Sequence, residues 1–299
     1  MSERPLRLAV ALNGYGVEHD DPEGIWREVL GWEDLAGLGR LAEELGYEAI
    51  FAPEIGGWEA FTLLTGMATQ TERISLVSGV IPLSARAPEH LAMGTSSLQE
   101  LSGGRFTLGV GSRESIARTR TTLRSLRDLI STGREHDGED GHRTDWSADP
   151  RPTPIYLAAL GPRMTSLAGE IADGVILNWC TPERVAEARA AIPARADFTI
   201  AVYVRACLSA VDDQALEALR IAASRYATME PYRRQFESMG LDPSDTQAIV
   251  AGVCVAGDAR RRLEDYRDAG ADLVVVYPVA AGEAVSSLTG TMMAAAPGS

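Results

Sequence analysis

Short apolar runs alternate with longer stretches of helical periodicity along this chain of 299 residues, and that alternation limits the fold more than any other feature. Residues 6–12 (LRLAVAL), 49–52, 74–80 (ISLVSGV), 106–110, 155–159 (IYLAA), 175–178, 199–207 and 273–277 read as buried strands. The stretches between them read as helices. Residues 34–45 place apolar side chains at 35, 38, 41, 42 and 45, with Gly46 as a stop; residues 88–101 begin on a proline, which suits a first helical position. Helical patterns also cover 60–68, 116–130, 164–172, 182–190, 216–229 and 258–269. Strand–helix repetition argues a parallel sheet, and eight repeats argue closure. The expectation is one (β/α)8 TIM barrel over residues 1–299, with a helical insertion between strands 7 and 8.

Two stretches stand outside the rhythm. Residues 136–154 are rich in charge, Gly and Pro and read as a solvated loop. Residues 205–257 are too long for one connection and carry at least two helices, one of them holding Tyr226, Met229, Tyr232 and Arg233. An insertion of this kind either covers the mouth of the barrel or elaborates its packing.

Charge and motif content exclude several functions. With 42 acidic residues against 28 basic ones, the net charge of −14 makes nucleic acid and anionic membranes poor partners. Cys180, Cys207 and Cys254 are odd in number and widely spaced, which suits a reducing cytoplasm and gives neither a disulfide framework nor a metal clip. The first residues hold too short an apolar run for a secretory signal, and no stretch of 18 apolar residues occurs, so a soluble cytoplasmic protein is expected. No HxH or HExxH spacing points to a metal. No GxGxxG joins a strand to a helix; the GVGS at 109–112 lacks the third glycine.

The polar candidates cluster at strand ends, where barrel enzymes place their chemistry. After the fifth strand come Ala159, Leu160, Gly161, Pro162 and Arg163. Gly161 permits close backbone approach, Pro162 suits a helix start, and the free amides beyond it favour an anion to which Arg163 adds charge. The same residues also fit a plain strand-to-helix turn. Glu54, after the second strand and near Trp58 and Phe61, is either a general acid in a partly apolar setting or a helix cap. Asn13 and Asn178 end the first and sixth strands. Cys180 has no base to activate it and reads as a packing residue.

Four segments in order carry a resemblance: GYEAIFAPE leading into AFTLLTGMATQTERISL, GVIPLSARAPEHLA, LQELSGGRFTLGVGS, and PIYLAALGPRMTSLAGEIADGVILNW. With them the chain resembles the luciferase-like monooxygenase superfamily, above all its deazaflavin-dependent branch. The resemblance implies an oxidoreductase using reduced coenzyme F420 for hydride transfer to or from a small organic substrate. A monooxygenase using flavin mononucleotide (FMN) is the first alternative, and a cofactor-free ligand-binding or structural relative the second.

The resemblance also implies cofactor contacts at Gly79, Val80, Gly111, Ser112 and residues 159–163, and Asn13 and Asn178, at their strand ends, are further polar candidates for cofactor contact at the same rim. It implies a non-proline cis peptide between Gly79 and Val80, phosphate at the Gly161 loop, and a homodimer through the helices near Ala60 and Pro88, where Leu91, Met93 and Leu98 lie. Two departures stand out. The segment from 111 to 154 is shorter than usual in the family. Ile55 occupies a place where the family often has histidine, and none of His19, His90, His136 and His142 replaces it.

Overall fold

The computed structural model describes residues 5–21, 24–132, 151–210, 212–257 and 259–298. Its centre is a closed barrel of eight parallel strands: β1 (Leu8–Ala11), β2 (Ala49–Ala52), β3 (Ser75–Ser78), β4 (Phe106–Gly111), β5 (Ile155–Ala158), β6 (Gly174–Asn178), β7 (Thr199–Ala206) and β8 (Leu273–Pro278). Each pairs with the next in sequence order, and β8 returns to β1 with Val274 opposite Leu8. The expected barrel is what the chain forms.

Strand alternation explains why the sheet closes rather than lying open. Leu8 and Val10 face outward into the helical layer, while Ala9 and Ala11 face the barrel interior. The interior takes small side chains (Ala9, Ala11, Ala49, Ala201) beside large ones (Phe51, Tyr203, Tyr277), so that it is filled rather than hollow. Tyr203 packs edge-on against both Phe51 and Tyr277, with ring centroids 5.7 Å apart in each case.

The outer layer runs α1 (Trp32–Glu44), α2 (Ala60–Gln70), α3 (Pro88–Leu101), α4 (Ile116–Thr132), α5 (Pro162–Ile171) and α6 (Pro182–Ala191). Then come α7 (Asp212–Ala227), α8 (Glu230–Ser238), α9 (Thr246–Val253), α10 (Ala259–Asp268) and α11 (Ala284–Ala294). Prolines open α3, α5 and α6 as the sequence suggests, and Gly46, at φ +83°, follows the end of α1. No helix among the described residues is long and apolar enough to cross a membrane.

The structure corrects several expectations. The insertion holds three helices, α7 to α9, and no single one contains Tyr226, Met229, Tyr232 and Arg233. α7 ends at Ala227, Met229 caps α8, and Pro231, which has no N–H, stands in the first turn of α8. A second core of Leu219, Ala223, Phe236 and Ile249 joins the insertion to Trp179, just past β6, so it sits at the C-terminal end of the barrel.

The hairpin of Tyr15–Asp21 and Gly24–Val29 was not anticipated, nor was α11. The hairpin strands mix charge with apolar residues, and α11 interleaves Ser, Thr and Gly290 with its apolar residues. Strand β3 stops at Ser78, short of the expected Val80, and Ile81–Pro82 forms a separate two-residue strand beside β4. Of the expected loop at 136–154, residues 136–150 lie outside the described residues, and 151–154 carry no regular structure. All three cysteines are buried, and burial pushes the Cys180 thiol up to about 12, in keeping with a packing residue.

Gly109 marks a close approach of β3 and β4. A Cβ there would lie 1.9 Å from the carbonyl oxygen of Ser78. The Ser78 hydroxyl meanwhile donates to the Gly109 carbonyl at 2.9 Å and accepts from its N–H at 2.8 Å. Gly109→Ala is expected to destabilise the barrel by about 2 kcal/mol or more through overpacking against backbone. A urea midpoint equal to that of the parent chain would show that β3 and β4 part without cost.

Candidate active site

The C-terminal ends of the strands bring most of the sequence candidates to one face. At the end of β3 the Gly79–Val80 peptide is cis, as the resemblance implied. Tyr203, rising inside the barrel from β7, donates its hydroxyl to the Gly79 carbonyl at 2.7 Å. The Val80 carbonyl accepts from the Glu54 amide at 3.3 Å. On the far side, a Cβ on Gly111 would meet Val80 Cγ2 at 2.8 Å, so glycine at 111 makes room for the valine side chain. Ser112, next along, has its hydroxyl engaged with Thr119 at 2.7 Å and with the Glu114 amide at 3.1 Å.

Glu54 stands in a different setting from the partly apolar one expected. Its two oxygens take a bidentate ion pair from Arg86, at 2.7 and 2.8 Å, and one also accepts from the Ala60 amide at 3.2 Å. Arg86 reaches on to Glu59 at 2.5 Å, and Glu59 caps α2 through the amides of Phe61 and Thr62. The Glu54 carboxylate, ahead of other causes, raises the Arg86 guanidinium above its ordinary range. This chain of contacts clamps the β2–α2 loop to the segment before α3. Glu54 is thus tied to Arg86 and to the first amide of α2, while Glu59 is the residue that caps the helix.

The β5–α5 turn is open. Gly161 caps α5 at φ −122° and ψ 164°, a conformation any residue adopts, and a Cβ built on it would meet nothing within 4 Å. Neither backbone strain nor packing therefore requires glycine there. No side chain caps α5, Pro162 follows at its start, and Arg163 beside it is exposed. Ala159 is buried, its amide bound to the Ile176 carbonyl at 3.1 Å. Leu160 lies half-buried between them.

The opposite side of the mouth is closed by an aromatic cluster around Arg205, the penultimate residue of β7. Its guanidinium lies 4.0 Å from the ring centroid of Trp179, 4.5 Å from that of Tyr277 and 4.9 Å from that of Tyr226. It donates to Asn178 Oδ1 at 2.6 Å, and Asn178 Nδ2 donates to the Tyr232 hydroxyl at 3.0 Å. Trp179 adopts φ +52°, uncommon for a non-glycine residue, and Gln235 of α8 donates to the carbonyls of both Asn178 and Trp179 at 2.6 Å. Asn13 donates to the Tyr277 hydroxyl at 2.5 Å and accepts from the Tyr15 amide at 2.9 Å. Asn13 and Asn178 thus hold neighbouring residues in place with both ends of their amides.

A match to the model described as "Luciferase-like monooxygenase" covers residues 9–273. The chain belongs to the luciferase-like monooxygenase family. It is 28% identical over 253 residues to a 5,10-methylenetetrahydromethanopterin reductase of Methanolobus tindarius, spanning 75% of this chain and 76% of that one. It is 30% identical over 179 residues to an F420-dependent glucose-6-phosphate dehydrogenase of Nakamurella multipartita, where the match covers 50% of this chain and 53% of the relative. Among solved structures, the coenzyme F420-dependent tetrahydromethanopterin reductase of Methanopyrus kandleri superposes with a TM-score of 0.74 at 19% identity, over 96% of this chain and 97% of that one.

Within this luciferase-like barrel, sequence reasoning missed Arg86, Tyr203, Arg205 and Tyr277. Arg205 carried one local signal, a charge inside the otherwise apolar run TIAVYVRAC. Removing either partner of the Glu54–Arg86 pair should lower stability by about 1–2 kcal/mol, since Arg86→Met leaves the Glu54 carboxylate without its cation and Glu54→Gln leaves Arg86 with Glu59 as its remaining carboxylate. Glu54→Gln and Arg86→Met combined should cost clearly less than their sum. Strict additivity in urea unfolding would show that the clamp is not coupled.

Proposed function

We propose that this protein is an oxidoreductase that binds reduced coenzyme F420 and moves a hydride to or from a small organic substrate. The observation that carries the reading is the open glycine at the start of α5. Gly161 is demanded neither by φ nor by a neighbour, and it precedes a helix whose first turn has no side-chain cap. A helix N-terminus of this kind, with an exposed arginine at its second position, is suited to a phosphate group. The residues therefore fit a phosphorylated coenzyme.

Ala159, Leu160, Gly161, Pro162 and Arg163 would hold the phosphate. Gly79 and Val80 would back the ring system, with Gly111 and Ser112 alongside; Asn13 and Asn178 keep the aromatic wall in place. The coenzyme, when bound, supplies the hydride carrier. The chain's own residues bind and orient it, and the insertion excludes water from the mouth. Names borne by the relatives, F420-dependent dehydrogenase and reductase among them, support the same reading. FMN also carries a phosphate beyond its ring, so the same loop fits it, and the family's description as monooxygenases supports that alternative.

Anaerobic titration with each coenzyme, followed by absorbance and fluorescence, tests the reading. F420 should bind, and Gly161→Val should weaken it by about tenfold or more. FMN binding without F420 binding selects the alternative, and binding of neither selects a cofactor-free relative. An unchanged F420 affinity in a folded Gly161→Val chain would remove the loop from the site.

We also infer a homodimer through α2 and α3, on narrower support than the sequence offered. Leu91 and Leu98 pack onto the barrel itself, whereas Met93 and Leu101 stay 47% and 63% exposed on α3. Sedimentation at micromolar concentration should give twice the 32.0 kDa chain mass, and a monomer would end the inference.

A further inference from the structure

Arg205 is only 3% exposed, and a guanidinium that deep is ordinarily matched by a carboxylate. Among the described residues no carboxylate pairs with it. Its hydrogen bond goes to the neutral Asn178 amide, and its faces are covered by the rings of Trp179, Tyr226 and Tyr277. Tyr232 and Tyr277 supply no anion. Burial, then the neighbouring Tyr226, raises Tyr232 to about 12 and raises Tyr277 as well. Glu18 and Arg225 line the same cavity and pair with each other at 3.2 Å through Glu18 Oε1, so that Arg205 is the cation there beyond that pair.

Against Arg205 lies a small cavity of about 20 Å³, bounded also by Asn13, Tyr15, Tyr226 and Tyr277. That volume admits one oxygen-sized group. The surroundings are selective by charge. The protein carries a net charge of −14, so an anion is disfavoured over most of its surface and favoured where a desolvated cation stands without a counter-ion.

We propose that Arg205 anchors an anionic oxygen of the substrate, and that the substrate class is small carboxylates. The guanidinium supplies the charge and the N–H donors for one carboxylate oxygen, the size the cavity admits, with Tyr277 and Asn13 fixing the wall beside it. Naming this ligand the substrate rests on the hydride-transfer reading above. The anion site itself rests on Arg205 alone.

Propanoate and its neutral counterpart propanamide, titrated by ligand-observed NMR into the F420-loaded protein and into the protein without coenzyme, separate the two. Propanoate should bind about tenfold tighter than propanamide, and Arg205→Met should erase that preference while F420 affinity stays within about threefold. Arg205→Lys keeps the charge without the fork and should weaken propanoate by about threefold or more; it carries the test should the methionine variant not fold. Equal binding of the two probes, no binding of either, or full propanoate affinity in Arg205→Lys overturns the proposal. An Arg205-dependent propanoate preference in a protein that takes no F420 leaves the anion site standing and removes only the cofactor reading.

Discussion

A closed barrel of short strands must fill its own interior, and here the filling reaches the mouth. The bulk comes from Phe51, Tyr203 and Tyr277, set among alanines on the neighbouring strands. Two of those three carry hydroxyls, and a buried hydroxyl needs a partner. Tyr203 finds the Gly79 carbonyl and Tyr277 the Asn13 amide, both at strand ends. Packing inside the barrel therefore fixes the positions of groups that line the site. A change of interior volume at Tyr203 would be felt first at Val80, although no residue of the site itself had been altered.

The two sides of the mouth are built by different means. On the β2–β4 side the order comes from close backbone approach and ions: Gly109 against Ser78, Gly111 against Val80, and Glu54 held between Arg86 and the start of α2. On the β6–β8 side it comes from tilted and edge-on ring contacts between barrel and insertion, with Tyr226 and Trp179 at 4.9 Å and Tyr226 and Tyr232 at 4.7 Å between centroids. Of the two, the second side also draws on the insertion, an element outside the regular strand–helix repeat. Its composition is accordingly free to vary without disturbing the barrel, which is how one scaffold serves many chemistries.

The barrel was legible because each strand is buried on both faces, so a continuous apolar run announced it even where boundaries moved by a residue or two. The hairpin after β1 was not, because its strands mix charge with apolar residues and are not read by their neighbours in sequence. At the site, the Gly161–Pro162 turn could be read directly, since its chemistry lies in consecutive residues. The Glu54–Arg86 clamp joins positions 32 apart, and the Arg205 cluster draws on β6, β7, β8, α7 and α8. No window of sequence contains either arrangement. What could be read at Glu54 was its position at a strand end; what could not be read was that a cation 32 residues later occupies both of its oxygens.

That difference bears on where charge is available for chemistry. Glu54 is the acid at the mouth with a sequence argument behind it, yet its geometry commits it to Arg86 and to the first amide of α2. Arg205 had almost no sequence argument, yet among the described residues no carboxylate pairs with it. A buried ion pair is largely spent on itself, because each partner already has what desolvation took away. A buried cation held by rings and a neutral amide retains most of its attraction for an incoming anion, and the low-dielectric setting that makes it costly to keep also makes that attraction strong. The electrostatic capacity of this mouth therefore lies on the aromatic side, where the barrel supplies the cation and the insertion helps to cover it.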